Sequence, residues 1–111
     1  MSTAEEDAAG MRPPDFNGLE GEWQEWSFIM RAYLAGKLAH GQALIATAEN
    51  IQGDPDITLA HLQQAAQEAV QDARRMFYIL VMTCKGPAQM VLRAQESHNG
   101  AACWRALVRC Y

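Results

Sequence analysis

The side chains able to ligate a metal or act as nucleophiles are few: His40, His61 and His98, and Cys84, Cys103 and Cys110. Zinc needs three or four converging ligands, usually with a CxxC or HxxxH pair close in sequence, and no such pair occurs here. Cys103 and Cys110 fall on one helical face seven residues apart, which buried cysteines acting as small hydrophobes explain. No metal site and no cofactor are expected.

Nucleophilic catalysis has equally little to build on. A thiol pKa is depressed at a helix N-terminus beside fixed positive charge, and none of the three cysteines is so placed. The Gly-rich phosphate loops, the dinucleotide fingerprint and the GxSxG nucleophile elbow are all missing. Asp54 and Asp56 flank Pro55 in a loop, where a capping role suffices. The sequence predicts a protein that is not an enzyme.

Charge is more informative. Residues 1–25 carry seven acids against Arg12 alone, whereas residues 74–111 carry six cations against Glu96 alone. Such a chain can pair head to tail with its own copies or turn its basic half to a polyanion, although solvated surface charge is the plainer reading. Lys85, Arg93, Arg105 and Arg109 are the candidate RNA contacts, with Arg105 and Arg109 one turn apart on the outer face of the last helix. No RNP, KH or zinc-knuckle pattern accompanies them to read bases.

The elements that carry these residues are helical. Ala, Gln, Glu and Arg abound, while runs of Val, Ile and Thr are scarce. Residues 1–15 read as a disordered acidic lead, and residues 16–111 as one helical domain, with Phe16 tucked against the first helix. From Glu20, Trp23, Trp26, Met30 and Tyr33 step by three and four along one stripe, widened by Phe28, Ile29 and Leu34; Gly36 ends it. Residues 37–50 form a weaker helix interrupted by Gly41, and 50–58 a loop in which Asp56 or Thr58 caps the next helix.

The longest helix runs from Leu59 to Thr83 through Leu62, Ala66, Ala69, Ala73, Met76 and Leu80, with Phe77 also in the core. "FYILV" at 77–81 could stand alone as a strand, but no breaker precedes it, so helix is favoured, buried on nearly all sides. Lys85-Gly86-Pro87 supplies a cation, a left-handed stop and a first helical residue. A short helix over 87–95 buries Ala88, Val91, Leu92 and Ala94. After "ESHNG", with Asn99 as cap, a last helix from Ala101 aligns Trp104, Leu107, Val108 and Tyr111. The fold predicted is all-α, a compact bundle of about five helices.

Two stretches resemble a known family. "FNGLEGEWQEWSFIMRAYL" is similar to the opening of the capsid-like region of Copia-type LTR-retrotransposon Gag polyproteins: F-x-G, a short acidic spacer, W-x-x-W and an aromatic-rich helix. "KGPAQMVLRAQESHNGAACWRALVRCY" resembles the later part of that region, ending in G-x-x-x-W-R-x-L-x-x-x-Y. The likeness covers about residues 13–36 and 76–111. It implies a capsid-type N-terminal lobe that self-associates around element RNA, with Phe16, Gly18, Trp23, Trp26, Tyr33, Gly86, Trp104, Leu107 and Tyr111 as scaffold positions. The chain departs from a full Gag in having no zinc knuckle and in stopping at Tyr111, where the family continues through further helices.

The expected partner is therefore a second copy of the chain. Two alternatives stand beside it: a peptide received in a groove next to Trp23 and Trp26, and RNA held by the cations of residues 85–109. An odd number of cysteines and an acidic start without an apolar leader lead us to expect free thiols and a cytoplasmic or nuclear setting. The most apolar run, residues 76–84, is too short to span a bilayer, so no membrane partner is expected.

Overall fold

The computed structural model describes residues 12–50 and 67–111, and these hold five α-helices: α1 Trp23–Lys37, α2 Gly41–Asn50, α3 Gln67–Thr83, α4 Pro87–Arg93 and α5 Gly100–Cys110. The all-α bundle read from the sequence is the fold found. "FYILV" is helical, continuous with the Ala- and Gln-containing turns before it. Leu62, His61, Asp54, Asp56 and Thr58, and most of the acidic lead, lie outside the described residues.

Residues 12–15 belong to the fold rather than to a disordered lead. Pro13 is buried, the Pro14 carbonyl accepts a hydrogen bond from Trp26 Nε1 at 2.8 Å, and Arg12 reaches the Met82 carbonyl at 3.3 Å. The next residues continue this extended path. Phe16 N–H donates to the Thr83 carbonyl at 2.8 Å, and Lys85 N–H donates to the Phe16 carbonyl at 2.7 Å, a single parallel bridge. Backbone groups of a buried segment must find partners. Here the C-terminal end of α3 supplies them, which fixes Phe16 inside.

Turns account for the helix limits. A 3₁₀ turn at Glu20–Glu22 leads into α1, which begins at Trp23 rather than Glu20. Gly41 does not interrupt a helix but opens α2: the reversal after α1 is so tight that a Cβ at Gly41 would strike the Leu34 carbonyl. Asp72 of α3, buried at 4% exposure, accepts from His40 N–H at 2.8 Å and lies 3.1 Å from His40 Nδ1. It places a carboxylate at the positive end of α2.

Gly86 has φ +56° with ψ −133°, positive but outside the left-handed helical well expected of it, and Pro87 then starts α4. Asn99 caps α5 as expected, its Oδ1 accepting from Ala102 N–H at 3.0 Å. Helix α5 is the centre of the bundle, packed against α2, α3 and α4. Its close approach to α3 depends on Gly100, where a Cβ would lie 2.5 Å from Met76 Cβ and 2.6 Å from Phe77 N.

Candidate functional site

Five aromatic residues from three parts of the chain form one seam. Phe16 stacks on Trp26 with ring centroids 4.7 Å apart and 19° between planes, and meets the Tyr111 ring edge-on at 5.0 Å. Trp23 lies 5.6 Å from both Phe16 and Trp104, and 5.7 Å from Tyr111. Offset and edge-on pairs of this kind add about 0.5–1.5 kcal/mol each to what area burial contributes. The seam joins Phe16, ahead of the first helix, to Tyr111, directly after α5.

Polar atoms at the seam's margin are matched. Trp104 Nε1 donates to Glu49 Oε2 at 2.7 Å, and Arg31 Nε donates to the same oxygen at 2.7 Å. The Arg31 guanidinium carbon also stands 5.6 Å from the Trp104 ring centre, within cation–π range. One carboxylate thus ties α1, α2 and α5 together. Sequence reasoning missed Glu49, Arg31 and Asp72, because their partners are remote in the chain. The available signal was a carboxylate on the buried side of α2, four residues after Ile45.

The residues expected in the core divide into three groups. Phe16, Trp23, Trp26, Met30, Leu80, Trp104 and Leu107 are buried, while Tyr33, Phe77 and Tyr111 are partly buried against them. Leu62 lies outside the described residues. Because Trp23 and Trp26 are inside, the groove expected beside them has no tryptophan to present to a peptide.

Several sequence expectations about the outside require correction. Phe28 is 73% exposed and Ile29 is also exposed, so they do not widen the buried stripe; helical geometry carries both away from Trp26 and Met30. Tyr78 and Met82 are exposed on α3, which is therefore not buried on nearly all sides, and Ala94 is exposed beyond α4. Arg105 is only 4% exposed, not an outer-face cation, because Ala101 to Arg105 are enclosed on all sides by the helices around α5. Of the other candidate RNA contacts, Arg93 and Arg109 are exposed and Lys85 is half-buried, so the set of four does not form one surface patch.

Burial pushes the Cys84 and Cys103 thiols up to about 12, far from a nucleophile's range, while Cys110 is exposed at the end of α5. Among the described residues no three His, Cys, Asp or Glu side chains converge to hold a metal ion, and no helix is long and apolar enough to cross a membrane. His98 takes a left-handed backbone with φ +66° and places its ring 5.3 Å from Phe77 and 5.7 Å from Tyr78, with Ser97 Oγ 3.0 Å from its Nδ1.

Comparison with family models, with curated proteins and with solved structures returned no match to this chain.

Proposed function

We propose that the chain is a non-enzymatic, Gag-like capsid module whose work is self-association. The observation that supports this best is the convergence of the resemblance's own positions. Phe16, Trp23 and Trp26 from the first motif, and Trp104 and Tyr111 from the second, build one aromatic seam although they come from opposite ends of the domain. The buried thiols, and the lack of a ligand cluster among the described residues, suit a scaffold better than an active site.

Light scattering over a wide range of concentration, at low and high salt, tests the reading. A mass that rises with concentration and falls with added salt is expected, because the acidic and basic halves attract and salt screens them over about 8–10 Å at physiological strength. A monomer at every concentration and salt contradicts it. RNA packaging is an indirect consequence of such assembly in this reading, not an activity assigned to the basic helices.

A further inference from the structure

The exposed large hydrophobic residues fall into two sets of opposite charge. Leu19, Phe28 and Ile29 lie between residues 19 and 29, a segment that contains Glu20, Glu22 and Glu25 and no cation. Tyr78, Met82 and Met90 lie between residues 74 and 93, a segment that contains Arg74, Arg75, Lys85 and Arg93 and no acid.

Leu19 precedes α1 and Met90 lies on α4, and the other members of each set occupy one helix's outward side. On α1, Glu25, Phe28, Ile29 and Ala32 are all exposed at spacings of three and four, opposite Trp23, Trp26, Met30 and Leu34. On α3, Arg74, Arg75, Tyr78 and Met82 are exposed in the same way, opposite Ala69, Ala73, Met76 and Leu80; Gln71 and Glu68 continue that side toward the first turn, so the face carries two cations against one acid at its far end. Arg75 lends one nitrogen to Asp72 at a long 3.5 Å and keeps its guanidinium in solvent. Arg12, near Met82, is matched by Asp15 at 3.4 Å and leaves the sign of the second face unchanged.

We infer that these two faces bind one another between copies: the acidic apolar face of α1 in one chain docks on the basic apolar face of α3 in the next. Each alone repels its own kind, since Glu25 against Glu25, or Arg74 against Arg74, sets like charges together. Face to opposite face pairs acids with cations around an apolar centre of Phe28, Ile29, Tyr78 and Met82. Aromatic and arginine side chains are what interface hot spots favour. The contact is heterologous, so every copy carries both halves and association propagates head to tail instead of stopping at a dimer. The inference rests on the self-association proposed above and supplies its surfaces.

Complementation tests it with the full 111-residue chain. Phe28→Asp disables the first face and Tyr78→Asp the second; both positions are exposed, and far-UV circular dichroism checks that each variant folds. Each variant alone should associate about tenfold or more weakly, as loss of a hot-spot side chain does. Mixed, they should form a 1:1 heterodimer that grows no further, since one intact face remains on each. Glu25→Lys and Arg74→Glu probe charge alone: each should associate more weakly by itself, and when mixed the two reversed faces pair as the two intact ones do, so growth should return instead of stopping at a dimer.

Wild type that associates while the variants associate equally well, or variants that fail to complement when mixed, overturns these faces and leaves self-association standing. Wild type that stays monomeric overturns both.

Discussion

Trp104 and Glu49, 55 residues apart, meet at 2.7 Å, with the indole N–H donating to a carboxylate oxygen that Arg31 also holds at 2.7 Å. A hydrogen bond to a charged group contributes about 1.5–3 kcal/mol, and a buried donor left alone costs a similar amount. Glu49→Ala should therefore lower stability by about 2–4 kcal/mol in urea unfolding. Trp104→Phe combined with Glu49→Ala should be less damaging than the sum of the two, because the second change removes a group already without its partner.

Phe16 stands outside every helix yet is completely buried against Trp23, Trp26 and Tyr111. Truncating it to Ala removes the seam's centre and should cost about 3–5 kcal/mol, as should Trp26→Ala. Trp26→Phe keeps much of the packing and loses the bond to the Pro14 carbonyl, so a loss nearer about 1–2 kcal/mol is expected. Thermal unfolding of the three variants gives the order; a loss below about 1 kcal/mol for Trp26→Ala would place that residue on the surface.

Glycines sort by what surrounds them. At Gly100 an added methyl meets Met76, Phe77 and Ala73 within 2.7 Å, so Gly100→Ala must force α5 from α3 and should cost more than about 2 kcal/mol. At Gly36 nothing lies within 4 Å, and Gly36→Ala should stabilise α1 by about 0.5–1 kcal/mol. Equal effects at the two positions would contradict the packing of α5 on α3.

Thiol chemistry separates the three cysteines. Cys110 should react promptly with a disulfide reagent at mildly alkaline pH, while Cys84 and Cys103 react only on unfolding. Both buried thiols hold their protons up to about pH 12, whereas in the unfolded chain they lose them near the ordinary value of 9.0. Above pH 9 the unfolded state binds fewer protons, so stability is full below that value and falls as pH rises toward 12. The two together add a slope of up to about 2.7 kcal/mol per pH unit, which Cys103→Ala should roughly halve.

Particular residues mark how far the sequence reaches. Trp23, Trp26 and Met30 at steps of three and four could be placed in the core because a helical period fixes which side chains share a face. Asn99 could be named as a cap because its acceptor serves an N–H three residues on. The same local rules failed on Phe28 and Ile29, where hydrophobicity argued for burial and the helical angle argued against it.

Arg105 failed for another reason. Its burial comes from how many neighbours surround α5, a property of the assembled bundle that no single helix carries. Glu49 and Asp72 were illegible on similar grounds, since each is defined by partners on other elements. The extended segment at Phe16 was read correctly as tucking inward, but its bridge to Cys84 requires knowing where α3 ends.

The tryptophans are the interior of the fold, and the proposed contact between copies accordingly uses the helices' outer faces. Tryptophan fluorescence of the native protein tests this most directly. Trp23, Trp26 and Trp104 are all buried, so emission should be blue-shifted and nearly indifferent to an added aqueous quencher, with both properties lost together on unfolding. Red-shifted emission that is readily quenched in the folded protein would contradict it.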